Sequence, residues 1–120
     1  MNEEQVIDID TWLPIEETAK TISTRLGVRV KPFRFADGEG GFIVGYLKEP
    51  DFATKLTLWS RINNGAGETT ASALLETNLI RPESDERISN TNPDGFKYWA
   101  GACLAVLNTI ELAIPEIKKK

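Results

Sequence analysis

The apolar residues of this chain change period several times, and each change marks a boundary. Ile15, Ala19, Ile22 and Leu26 recur at helical spacing, which predicts a first helix over Leu13–Leu26. Pro14 then falls in the opening turn, where its missing N–H is harmless, and Glu16 and Glu17 complement the positive end of the helix dipole. Gly27 closes the helix as a C-terminal cap. The next stretch, Val28–Phe35, reads as a strand, with Val28 and Val30 on one side and Phe33 and Phe35 on the other. That change of parity predicts a kink or bulge at Pro32, on an edge strand. Asp37–Gly41 is turn chemistry, and Phe42–Lys48 is a second strand with Phe42, Val44 and Tyr46 on one face. The two strands together predict an antiparallel hairpin.

Helical spacing then returns three times. Pro50 stops the strand, and Asp51 caps a helix whose inner face is Phe52, Leu56, Trp59 and Ile62 or Asn63; Asn63-Asn64-Gly65 ends it. Thr69 or Thr70 opens a third helix that buries Ala71, Leu74, Leu75 and Leu79. Arg81–Pro93 is a polar connection containing two prolines. Asp94 caps the longest helix, with Phe96, Trp99, Ala100, Cys103, Leu107, Ile110 and Ile114 on a broad face, and Pro115 breaks it. The order α-β-β-α-α-α predicts a mostly helical α+β fold, since a two-stranded ribbon is not stable without helices against it. A single domain is predicted over residues 11–117, preceded by a flexible acidic segment 1–10 and followed by a basic tail 118–120. No internal repeat is visible.

Composition narrows the chemistry. The 120 residues are 41% hydrophobic and 27% charged, ordinary for a globular chain able to remove roughly two-thirds of its unfolded surface from water. Histidine is absent, which removes the commonest general base and zinc ligand. Cys103 is the one cysteine, so no internal disulfide is possible and a reducing, cytoplasmic setting fits. Fourteen bases against eighteen acids give a net charge of −4, which argues against nucleic acid as partner. The opening residues are acidic, unlike a signal peptide, and the uncharged run Tyr98–Ile110 is too short to span a bilayer.

Asp37–Gly41 joins two strands and lacks the lysine and hydroxyl of a phosphate loop, so hairpin turn is the better reading. Gly65-Ala66-Gly67 precedes a helix, but Glu68 would repel an anion there. Glu16, Glu17, Glu83, Asp85 and Glu86 sit where helix starts and loops collect acids, and their spacing selects no metal. Cys103 falls on an apolar stripe as a small hydrophobe, and no serine has a histidine partner. Lys20, Arg25, Arg29, Lys31 and Arg34 form an acid-free run that reads as solvated faces and edge protection. Catalytic, cofactor and metal residues are therefore all expected to be none. Trp12, Leu58 and Val106 fall off the inferred core faces, and exposed together they would make a docking patch. Trp59 and Trp99 lie on stripes and should be at least partly buried; all five are the candidate partner-binding residues.

The order of several short motifs resembles that of the small tail assembly chaperones of tailed, siphovirus-type bacteriophages and prophages. Gly27-Val28-Arg29-Val30 followed by Phe33 is similar to their helix–glycine–strand opening, and Gly45-Tyr46-Leu47-Lys48-Glu49-Pro50 to their strand end. Ala73-Leu74-Leu75-Glu76-Thr77-Asn78 resembles the double-leucine helix of that family, Ser84–Ile88 their short acidic segment, and Ile110-Glu111 through Lys120 their close. Leu79-Ile80-Arg81-Pro82 departs from the pattern, standing where a tryptophan-containing turn often sits. The resemblance implies a non-enzymatic cytoplasmic protein of the bacterial host that binds and solubilises the tape-measure protein and is absent from the mature virion. Self-association and contact with the tail tube protein are further implied partners, with neither nucleic acid nor membrane. A structural or adaptor subunit of a tail or connector is the alternative, and a small carboxylate-dependent enzyme the second.

Overall fold

The structure is a computed structural model that describes the backbone of residues 2–91 and 95–118, and the side chains of residues 11–91 and 95–108. The elements are α1 (Asn2–Leu26), β1 (Val30–Ala36), β2 (Phe42–Lys48), α2 (Phe52–Asn63), α3 (Gly67–Asn78) and α4 (Phe96–Lys118). The order is the predicted α-β-β-α-α-α, a mostly helical α+β fold.

The hairpin is the centre of the architecture. Its register is unbroken over seven pairs, from Val30 opposite Lys48 to Ala36 opposite Phe42. Phe33 and Phe35, with Ile43 and Leu47, face a core built with α2, α3 and α4; Ile43, Ala71, Leu75, Ala102 and Val106 are sealed within it. Val30, Val44 and Tyr46 face the other way, against Ile15, Ala19 and Ile22 of α1 and against Ile80. The apolar parity change therefore marks a ribbon covered on both faces, not the bulge expected at Pro32. Pro32 fits a straight strand for a specific reason. Glu49 N donates to Arg29 O and Asp37 N to Gly41 O, which makes the odd-numbered β1 residues the hydrogen-bonded partners. Pro32 opposes Tyr46 in the alternate class, where no N–H points at β2.

One edge of the ribbon is closed by the end of α3 and the residues after it, which run into the stretch Arg81–Pro93 expected to be a plain polar connection. Ile80 N donates to Tyr46 O and Asp85 N to Val44 O, each at 2.9 Å, while Leu47 and Leu79 form an antiparallel bridge. Ser84 Oγ accepts from Tyr46 N at 2.9 Å, so a hydroxyl takes the place of a strand carbonyl, and Asn78 Nδ2 donates to Lys48 O. Backbone groups on an otherwise bare and largely buried edge are thereby paired.

Two glycines let the layers meet. The Phe33 ring lies directly over Gly45 across the strands, where an added Cβ would come within 2.2 Å of it. Phe35 presses on Gly101 of α4, where an added Cβ would come within 2.6 Å. The bare backbone is what allows the ring to cover the ribbon and the helix to approach it.

Several boundaries and faces differ from expectation. α1 begins at Asn2, so the segment expected to be flexible is helical in backbone, and Pro14 lies inside the helix instead of its first turn. A proline within a long helix forfeits one backbone bond but need not end it, and the Pro14 ring is exposed. The first β residue is Val30, and Val28 is exposed beside Gly27, whose left-handed conformation closes α1. α2 turns Leu58 and Ile62 inward, with Trp59 half-buried, and leaves Phe52 and Leu56 outside. α3 starts at Gly67, ahead of Thr69, with no side-chain cap. α4 turns Trp99, Ala102, Cys103 and Val106 inward, exposes Phe96, and runs through Pro115 to Lys118, so the tail predicted from 118 starts within the helix. Asp94, the expected cap, and Lys119–Lys120 lie outside the described residues, as do the side chains of Ile110 and Ile114.

Replacing Gly45 by Ala is expected to destabilise the fold by about 1–3 kcal/mol, as overpacking in a filled core does. Gly101→Ala is expected to destabilise less, because Phe35 is only partly buried and its ring has room to move. Thermal unfolding of the two variants checks both the loss and its order.

Candidate functional site

The five candidate contact residues do not come together. Leu58, Trp99 and Val106 belong to the central core, with Trp99 7% exposed and Val106 fully enclosed. Trp99 is buried as its place on a stripe predicts, whereas Leu58 and Val106 fall off the inferred stripes because the helix faces are rotated from those read in the sequence. Trp99 is also tied down by a hydrogen bond from Nε1 to Ser72 Oγ at 2.9 Å. Cys103 lies beside it, and burial pushes its thiol up, with Ser72 opposing. That is the inert state of a packed thiol.

Trp12 and Trp59 keep surface. Trp12 joins a stack at one end of the hairpin, where the Arg34 guanidinium lies 5.3 Å from the Trp12 ring centre and 4.5 Å from that of Phe42. Arg34 Nη1 also donates to Thr11 Oγ1 at 2.6 Å, so this base of the acid-free run is held between α1 and the hairpin. Trp59 is half-buried at the flank of α2, and its Nε1 is enclosed without a hydrogen-bond partner.

The sequence misjudged one strip in the opposite direction. Phe52 and Leu56, one turn apart on α2, fall on the predicted core face yet are 65% and 38% exposed. With Trp59 next along the same side, they make an apolar strip on a helix anchored by Leu58 and Ile62. Asp51 holds the start of this helix, its Oδ1 accepting from Thr54 N at 2.8 Å. Its periodicity is identical to that of a buried stripe, so only the rotation of α2 tells them apart. Phe96 and Leu104 add exposed apolar surface on α4, at 74% and 57%.

A cation cluster borders the α2 strip. Glu49, at the end of β2, takes Lys55 at 3.1 Å, Lys31 at 3.7 Å and Arg29 at 3.8 Å. Burial works to raise the Glu49 carboxyl, but Lys55, then Arg29 and Lys31, outweigh it and hold it below the usual range. Lys55 lies between Phe52 and Trp59 in the helical sequence, so this cluster flanks the strip.

The candidate acids Glu16, Glu17, Glu83, Asp85 and Glu86 are held in different ways. Glu83 Oε2 binds Arg25 at 2.9 Å, and its Oε1 is buried without a partner. Asp85 grips Arg87 with both oxygens, at 3.1 Å to Nε and 2.8 Å to Nη2. Glu16, Glu17 and Glu86 are exposed. Arg87 also reaches Asp37 Oδ2 in the hairpin turn, at 3.4 Å, and lies near the Tyr98 ring. Asp37 Oδ1 meanwhile accepts from Glu39 N and Gly41 N. Asp85 is pulled below the usual carboxylate range by Arg87, and Asp37 by the two turn N–H groups with Arg87 assisting. Carboxyls held down in this way stay ionised, the reverse of what a general acid requires. A shallow cleft of about 220 Å³ lies alongside, lined by Leu79, Arg81, Ser84, Asp85, Glu86, Ile88 and Ser89. Among the described residues no cluster of three or more His, Cys, Asp or Glu is placed to hold a metal, and no helix is long and apolar enough to cross a membrane.

No protein-family model, characterised protein or solved structure shows a significant match to this chain.

Two outcomes follow. Trp99→Ala is expected to destabilise by about 3–5 kcal/mol and Trp59→Ala by clearly less, as chemical denaturation would measure. Because Asp37 and Asp85 titrate below their unfolded values, their stabilisation is complete above about pH 4 and is lost as pH falls through their folded values. Acid unfolding of Arg87→Gln should show a shallower loss over that window than the parent chain.

Proposed function

We propose that this chain is a protein-binding chaperone of the phage tail-assembly type, which covers apolar helical surface on the tape-measure protein. The observation that carries the proposal is the Phe52–Leu56 strip, two large apolar side chains one turn apart on a helix already anchored to the core. An amphipathic helix in water needs such a counter-surface, and short apolar strips repeated along one long partner gain avidity from weak contacts. Scattered exposed apolar residues are common on any protein; helical spacing on one anchored element is what distinguishes these.

The motif resemblance supports the same reading through the residues that make it up. Gly27 closes α1, Gly45 lies under Phe33, Asn78 ties α3 to the end of β2, and Ile88 plugs the core beside the edge-closing segment. The motifs thus coincide with the contacts that define this fold. On this reading the chain works in the cytoplasm of a phage-infected or prophage-bearing bacterium and is absent from the finished particle. The net charge of −4 helps to keep a loaded partner dispersed.

Co-expression with the tape-measure protein of the same genome is the test. The parent chain is expected to bring that protein into the soluble fraction. Phe52→Ser with Leu56→Ser should fold with nearly unchanged melting temperature and lose the effect. A tape-measure protein equally insoluble with and without the chain overturns the reading. Recovery of the chain in purified particles would replace it with a structural role.

A further inference from the structure

We infer that the α2 strip is built for an amphipathic helix with acidic flanks, a partner chemistry that rests on the binding role proposed above. The chain carries a net charge of −4, so an acidic partner would be repelled by its average surface. The border of this strip is different. Arg29, Lys31 and Lys55 gather round Glu49, and Asp51 caps the helix beside them. Three positive and two negative side chains leave one positive charge, to which the positive end of the α2 dipole adds.

The way these charges are held matters more than their sum. Lys55 makes a hydrogen-bonded pair with Glu49 at 3.1 Å and is largely covered. Arg29 and Lys31 stand off at 3.8 and 3.7 Å, with side chains 82% and 46% exposed. Exposed pairs at such separations contribute little to stability, so a partner carboxylate can draw either cation away with small loss. Glu49 stays neutralised by Lys55 when that happens. The result is a strip of Phe52, Leu56 and Trp59 with two releasable cations at its border. A helix that lays an apolar stripe on the strip places its flanking residues at that border, and aspartate or glutamate there is favoured over lysine.

The test uses two synthetic helical peptides with the same leucine stripe, one flanked by glutamate and the other by lysine, titrated against the intact chain by fluorescence anisotropy. The glutamate peptide is expected to bind about tenfold or more tightly than the lysine peptide, and to weaken several-fold as salt rises from about 50 to about 500 mM. R29E/K31E should reverse the preference, an exchange that loss of folding cannot produce, and F52S/L56S should abolish binding of both. Equal binding of the two peptides, still lost in F52S/L56S, overturns the acidic-flank inference while leaving the apolar docking role intact. Binding of neither peptide, together with failure of the co-expression test, removes the role itself. A concentration-dependent dimer of the chain alone that F52S/L56S dissolves would assign the strip to a second copy, whose Asn2–Asp10 segment is itself acidic and apolar, and would overturn the inference.

Discussion

A two-stranded ribbon buried on both faces has to find partners for the backbone groups along its edges, and this requirement organises the molecule. The hairpin brings α1 to one face and α3 and α4 to the other, so its β2 edge lies in the interior. An unpaired amide or carbonyl there would lose its water without replacement, at about 1–3 kcal/mol each. The stretch Asn78–Asp85 meets that demand without forming a regular strand. Two backbone amides, one side-chain amide and the Ser84 hydroxyl supply the bonds, and Ile80 and Ile88 then fall into the two separate cores. The β1 edge needs less help, because Pro32 has already removed one of its outward N–H groups.

That arrangement explains which features of the fold were legible in sequence. Element type and order follow from period alone, and the Asp51 cap, the Asp37–Gly41 turn and the Gly27 stop follow from local chemistry. The edge-closing segment was not legible, because Arg81–Pro93 has no period; its value lies in where individual backbone groups point. The parity change at Pro32 was visible but had two physical explanations, a bulge or a doubly covered ribbon. The pattern of one strand does not separate them, whereas an account of both layers does.

The candidate surface shows the same limit more sharply. On α2, Phe52, Leu56 and Trp59 make as good a helical stripe as Leu58 and Ile62, and the pattern favours the larger set. Tertiary packing selected the smaller one. A helix with two apolar sides buries one and shows the other, so residues that fit no functional motif can still form a surface. The converse error at Leu58 and Val106 has the same origin: a modest rotation of a helix exchanges inside for outside.

Charge placement adds the last step. The polar clusters at the two ends of the hairpin differ in kind. At the turn end, Arg87 is clasped by Asp85 in bidentate geometry and by Asp37, with both carboxylates held ionised, which fixes the turn to the edge-closing segment. At the open end, one carboxylate faces three cations, and two of those are long-range and exposed. The first cluster spends its charges internally and stiffens the fold. The second leaves cations in surplus beside exposed apolar side chains, so the physical means for recognising another helix collect at one end of the ribbon while the other end serves the fold.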